Sequence, residues 1–497
     1  MRSNRASLAA LQSMLRLGMA LTLFLVYIGT AGSIDTYAST ELARNMRVSI
    51  DGSEGHNVKV IDISYENNAY VSLRDMAAIL SDTSKKYDIS VTSAEVNITT
   101  GMAYDGPGGE NSDWGPEGKT LKGHSLKNNL LKKDDTELKY FIMVVGYDNG
   151  VADAYMTLND LAMMLDMNVK TVSAGEAKVF TNESFVIDPA ELEKYGYFES
   201  VNAVLVGDAT TGDIYYTYNA TIPYPIASTT KLMTLAIVED ELSKGNITLD
   251  DIVTISPKVS ALSKGEDGVV NYEPGMQVTV KDLMYAAMLP SSNESALALA
   301  EFVSGDEEAF VGRMMDEAKE LGMTTAIFHN PHGLPNFVGS DVPSKIHNRV
   351  SAEDMFKLCT YLLNQYPEVK DITSTKVYNM TSRKNLEIKN TNPLLHNMKE
   401  VTGLKTGTTN RAGACLMTSL HVSKQDGDHD LVVVMLGAET GQDRGRVSEV
   451  LARYAIRALQ GEAMIYGGDL SVIDDVEEPK SAEGIVSKVL EYVRNLV

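Results

Sequence analysis

The chain has 497 residues, of which 44% are hydrophobic and 22% charged, and carries a formal net charge of -23. That apolar content supplies packed cores and excludes wholesale disorder, while the length calls for two or three domains. The acidic balance argues against a nucleic-acid partner and against binding of the whole body to an anionic surface. It accounts for solubility and names no substrate.

At the N-terminus, Arg2, Arg5 and Arg16 precede an apolar run from Leu17 to Ile28, and small residues follow at Gly29 to Ser33 and near Thr36-Tyr37-Ala38. A basic segment, a short apolar segment and small residues predict a secretory signal over residues 1–38, with an uncleaved anchor as the alternative. The run is short of the roughly 20 apolar residues that a membrane-spanning helix needs. The protein is therefore expected to be exported, extracellular or cell-wall located, with a membrane anchor as the second form.

Residues 45–185 contain an internal repeat. Ala69-Tyr70-Val71-Ser72-Leu73-Arg74-Asp75-Met76-Ala77 aligns with Ala154-Tyr155-Met156-Thr157-Leu158-Asn159-Asp160-Leu161-Ala162. Each copy runs from a strand-like tyrosine into S/T-x-x-D, a cap that starts an apolar-periodic helix. Val58–Ile63 and Tyr140–Val145 read as flanking strands, and Asp105 to Glu110 as a solvated loop. His56 and His124 have no ligand spacing, so no metal is expected here. The reading is a small α+β module serving as a spacer or wall-interaction domain.

A second domain is expected over 190–462. Asn202–Val206 and Asp213–Tyr218 form a hairpin around Thr210-Thr211-Gly212. Helices are predicted at 229–242, 280–289 and 293–302, and a buried strand at 430–436. Cys359 falls in a helical pattern and Cys415 in a strand-like one. Two buried thiols are expected, and a bridge between them stays open. The tail, 463–497, carries one apolar stripe from Ile485 to Val497 at helical spacing, suited to the membrane surface or to packing on the protein.

Three strings carry the chemistry. Ser228-Thr229-Thr230-Lys231 is the single S-x-x-K of the chain, Ser291-Ser292-Asn293 follows, and Lys405-Thr406-Gly407 is the single K-[ST]-G. Ser228 and Lys231 share a helix face, so a neutral Lys231 can take the serine proton. Burial, the helix N-terminus and a second cation such as Lys405 all favour that neutral form. Ser291 can relay protons, Asn293 can bind a carbonyl or fix the lysine, and 405–407 reads as an edge strand along which a peptide lies. Taken singly, each string has an ordinary reading as a cap, a turn or an exposed strand. The set, in this order, is that of active-site serine penicillin-binding proteins and class A β-lactamases.

Residues from about 190 to 460 resemble the serine-type D-Ala-D-Ala carboxypeptidases, the low-molecular-mass penicillin-binding proteins. Further strings support this: Pro225 to Thr234, Phe328-His329-Asn330-Pro331-His332-Gly333-Leu334, Val401 to Gly407, and Leu436-Gly437-Ala438 followed by Asp443-Arg444-Gly445-Arg446. The resemblance implies a nucleophile at Ser228, a base at Lys231, a relay at Ser291 with Asn293, and an oxyanion hole from the backbone N–H groups of Ser228 and Thr408. It assigns the substrate's terminal carboxylate to Arg446 and Thr406. Thr408 stands where some members carry His, Gly441-Gln442 lengthens the stretch before Arg446, and after about 465 a short tail is expected in place of the family's usual C-terminal β-domain. The repeat module is similar to the stalk domain named after the copper amine oxidase N-terminal domain.

The expected fold is thus α/β of the β-lactamase/transpeptidase type, an antiparallel sheet with a helical lobe, preceded by the α+β repeat module. The expected function is removal of the terminal D-Ala from peptidoglycan stem peptides through a serine acyl-enzyme. Stem peptides and β-lactams are the partners, and neither metal nor organic cofactor is called for. The rivals are a β-lactamase, which needs a carboxylate to activate water (Glu266, Glu273 and Asp354 are available), an endopeptidase, and a non-catalytic wall-binding scaffold.

Overall fold

The computed structural model describes residues 42–62, 69–92, 95–106, 124–125, 130–146, 152–173, 175–194, 198–265, 269–338, 344–425 and 427–467. The expected signal, the loop beyond Gly106 and the stripe at 485–497 lie outside the described residues. No helix among those described is long and apolar enough to cross a membrane.

In the N-terminal module the two repeat copies meet at the centre of an eight-stranded sheet. Ala69–Ser72 pairs antiparallel with Ala152–Thr157, setting Tyr155 opposite Ser72 and Thr157 opposite Tyr70. Each strand runs directly into a helix, α1 (Leu73–Leu80) or α2 (Leu158–Leu165). The expected caps form: Ser72 Oγ accepts the Asp75 N–H at 3.0 Å, and Thr157 Oγ1 accepts the Asp160 N–H at 3.1 Å. Each satisfies one of the N–H groups a helix start leaves unpaired.

The second domain is built on a five-stranded antiparallel sheet of β1 (Ala203–Asp208), β2 (Ile214–Tyr218), β3 (Val401–Thr409), β4 (Gly413–Lys424) and β5 (Gly427–Ala438). Its order is β2-β1-β5-β4-β3, so strands from both ends of the domain's sequence pair with each other and β3 is an edge. The apolar run in β5 is buried on both faces, and the pleat divides it. Leu431, Val433 and Met435 join one core, while Val432, Val434 and Leu436 join the other. The second core holds the helical lobe, with α3 (Lys231–Ser243), α4 (Val280–Met288), α5 (Asn293–Ser304) and α6 (Ala352–Gln365). Cys359 in α6 and Cys415 in β4 are both buried free thiols, so no bridge joins them.

The first core continues out of the domain. Val447, Val450 and Leu451 of the last helix, α7 (Gly441–Leu459), pack with Leu394, Leu395 and Met398 and with Leu161, Met164 and Leu165 of α2. The repeat module, expected as a spacer, shares a hydrophobic core with the second domain through α7.

Candidate active site

Ser228 lies in a single 3-10 turn, Ala227–Thr230, that runs into α3 at Lys231. The turn needs unusual backbone: Ala227 has φ +48°. Gly333 (φ +89°) packs so tightly beneath it that a Cβ there would stand 1.9 Å from the Ala227 carbonyl oxygen. The Phe328–Leu334 string therefore cradles the serine turn. Its Pro331 carbonyl accepts from Thr234 Oγ1 at 2.6 Å, and Asn348 Nδ2 ties Thr230 Oγ1 to the Asn330 carbonyl.

Lys231 is completely buried. Its Nζ lies 2.9 Å from Ser228 Oγ, 2.8 Å from Asn293 Oδ1, 2.9 Å from the His332 carbonyl oxygen and 3.4 Å from Ser291 Oγ. Burial, then the charge of Lys405, holds its pKa well below that of a free lysine, with Glu294 acting the other way. A neutral amine has two N–H groups and one lone pair. In that neutral form the Asn293 and His332 carbonyl oxygens would take both N–H groups, leaving the lone pair for the hydroxyl of Ser228. That arrangement can deprotonate a serine.

Ser291 ends the connection from α4 to α5 with φ +68°, a conformation uncommon for a residue bearing a Cβ. Ser292 caps α5, its Oγ accepting the Ser295 N–H at 3.0 Å, and this places Asn293 on the first turn facing Lys231. Glu294, fully buried, accepts the backbone N–H of Val269 at 2.8 Å and that of Val270.

The edge strand β3 closes the group. A Cβ on Gly407 would lie 2.8 Å from the Ser228 nitrogen and 2.9 Å from the Thr229 nitrogen, so only glycine lets this strand touch the serine turn. Lys405 is 1% exposed and its Nζ donates to the Thr406 carbonyl at 3.0 Å. Burial, then Arg444, pushes its pKa down to about 7. Thr406 Oγ1 bonds to Thr391 Oγ1, and Thr408 is exposed.

One expected residue is elsewhere. Arg446 donates to Asp443 Oδ1 at 2.6 Å and does not join the group, whereas Arg444 reaches Thr408 Oγ1 at 3.1 Å. Two residues apart on a helix means about 200° of rotation, so the two arginines face opposite ways. The helical phase of α7, which starts at Gly441, held the signal, but the phase cannot be set without knowing which face meets the sheet. The His332 carbonyl was also missed, because a backbone acceptor has no residue signature. Of the carboxylates considered for activating water, Glu273 pairs with Lys264, Asp354 is engaged by Thr325 and Lys357, and Glu266 lies outside the described residues.

The sheet, the helical lobe and the Ser228–Lys231–Ser291–Asn293 cluster against the 405–407 edge define the class, a penicillin-binding, transpeptidase-like serine enzyme fold. Residues 190–440 match the family model described as D-alanyl-D-alanine carboxypeptidase, and the chain belongs to that family. It is similar to D-alanyl-D-alanine carboxypeptidase DacF of Bacillus subtilis, 33% identical over 250 residues, which are 50% of this chain and 59% of that one. It is also similar to a D-alanyl-D-alanine endopeptidase of Pseudomonas aeruginosa, 30% identical over 226 residues, 45% of this chain and 67% of that one. Among solved structures, penicillin-binding protein D2 of Listeria monocytogenes in its ampicillin-bound form matches with 27% identity and a TM-score of 0.44, over 52% of this chain and 97% of that one. The chain thus spans about three-fifths of the length of the Bacillus relative.

Proposed function

We propose that this protein is an exported D-alanyl-D-alanine carboxypeptidase that trims the terminal D-Ala from peptidoglycan stem peptides. The observation that carries the reading is the fully buried Lys231, its Nζ 2.9 Å from Ser228 Oγ and within hydrogen-bond distance of the Asn293 and His332 carbonyl oxygens. The stem peptide lies along β3. Ser228 Oγ attacks the carbonyl carbon of the D-Ala–D-Ala bond while Lys231 takes its proton. The backbone N–H groups of Ser228 and Thr408 hold the oxyanion. The proton passes by way of Ser291 to the departing amine, D-Ala leaves, and water hydrolyses the ester. Arg444, with Thr406 and Thr408, holds the terminal carboxylate, and Lys405 supplies further positive charge. β-Lactams acylate Ser228 through the same geometry, because their amide occupies the place of the scissile bond.

The test is an intact-mass time course with benzylpenicillin, beside Ser228→Ala, together with D-Ala release from a stem pentapeptide. One drug mass on the wild type only, with one D-Ala freed per pentapeptide, is expected. Rapid drug consumption with a fleeting adduct makes the protein a β-lactamase. Cleavage of cross-linked dimers in preference to pentapeptide makes it an endopeptidase. An unreactive protein leaves the wall-binding scaffold.

A further inference from the structure

Thr391 is the middle residue of Asn390-Thr391-Asn392, and its two neighbours fix it beside the edge strand. Asn390 Nδ2 donates to the carbonyls of Thr373 and Thr375 at 3.0 Å each. Asn392 is 1% exposed, and its Nδ2 donates to the Gly403 carbonyl of β3 at 3.0 Å. With both neighbours pinned, Thr391 stands exposed between the end of α4 and β3. Its backbone N–H donates to the carbonyl of Leu289, two residues before Ser291, at 3.1 Å. Its Oγ1 lies 2.5 Å from Thr406 Oγ1. The residue thus bridges the chain leading to Ser291 and the strand along which the peptide is proposed to lie.

A hydroxyl carries one proton, so this pair has two arrangements. In the first, Thr406 donates to Thr391, and Thr391 donates to the Leu289 carbonyl, 3.3 Å from its Oγ1. In the second, Thr391 donates to Thr406, and the Thr406 proton is free for an acceptor outside the pair. A carboxylate only accepts, so its arrival selects the second arrangement. The Leu289 carbonyl stays paired throughout, because the Thr391 N–H remains on it. Hydrogen bonds in a chain polarise one another, so Thr406 then donates more strongly than a lone hydroxyl would.

We infer that Thr391 is a positioning residue for the substrate's terminal carboxylate: its hydroxyl turns from the Leu289 carbonyl to Thr406 and so frees the Thr406 proton for the anion. The inference rests on the proposed role of Thr406 at that carboxylate. It gives the 390–392 segment a part in substrate selection that none of the three motifs contains.

The test compares a D-Ala-D-Ala peptide bearing a free terminal carboxylate with an acyl ester substrate lacking one, in the full chain. Thr391→Val keeps the shape and the backbone N–H but removes the hydroxyl. It is expected to raise KM for the carboxylate peptide on the order of three- to tenfold, the worth of one hydrogen bond, with kcat and ester turnover unchanged. Thr391→Ser, which keeps the hydroxyl, restores the wild-type ratio of the two substrates. Equal losses on both substrates, no loss on either, or a serine variant as weak as the valine one each overturn the inference. Thr406→Val separates this inference from the reading beneath it. If Thr406→Val leaves the preference for the carboxylate intact, the role of Thr406 fails and Thr391 falls with it. If it lowers that preference while Thr391→Val does not, only the part given to Thr391 fails. A wild type that frees no D-Ala from the peptide overturns the carboxypeptidase reading itself.

Discussion

Lys231 meets the serine with its pKa held well below that of a free lysine, for reasons that can each be removed singly. Burial is the largest influence, and Lys405 is the second cation that disfavours a charge there. In Lys405→Gln that repulsion is gone, so the Lys231 pKa rises and the acid limb of penicillin acylation against pH moves to higher pH. Lys405 itself, pushed down to about 7, loses its proton as pH rises through that value. The wild type therefore loses attraction for a carboxylate on the alkaline side, and Lys405→Gln loses that limb altogether. An unmoved acid limb in the variant would assign the depression of Lys231 to burial alone. Removing Asn293 acts differently. Asn293→Ala takes away one of the two carbonyl acceptors that orient the lone pair, with acylation expected to fall about 10- to 100-fold at unchanged drug affinity in stopped-flow measurements.

At the scale of the element, the edge strand works because nothing lies between Gly407 and the serine turn. Gly407→Ala places a methyl group 2.8 Å from the Ser228 nitrogen, and backbone on both sides must shift. A displacement near 1 Å costs on the order of 100-fold in rate, so acylation should fall by about that factor. The melting temperature should change far less, since the sheet keeps its pairing to β4. Loss of folding together with activity, seen by circular dichroism, would instead make Gly407 a structural residue. The connection through Ser291 follows the same logic. Ser292 caps α5, and that cap directs Asn293 at Lys231 while leaving Ser291 in its positive-φ bend.

Across the whole molecule, one hydrophobic core runs from the sheet through α7 into the repeat module. A spacer would unfold on its own, whereas a shared core couples the two parts. Urea denaturation of residues 42–467 should give a single transition by fluorescence and circular dichroism. Tyr140→Phe, which removes the hydroxyl from buried Glu449, should lower that stability by about 1 kcal/mol. Two separate transitions would restore the spacer. A module fused in this way occupies the place of a rigid support, which no tally of its strands would indicate.

The sequence by itself determined the parts whose signals are local. Ser228 and Lys231 sit three residues apart, Ser72 and Thr157 cap helices through the aspartates three residues on, and the β5 run is too apolar to face water on either side. The order of the three motifs, two of them single in the chain, then pointed to the candidate site. Tertiary structure decided what depends on neighbours distant in sequence. It turned Arg444 rather than Arg446 to the edge strand, because the orientation of α7 is fixed by what packs on it. It brought the His332 carbonyl to Lys231, since a backbone acceptor carries no residue signature. It also made the repeat module part of the second domain's core, because an apolar residue such as Leu161 or Val447 encodes a need for burial but not the partner that supplies it.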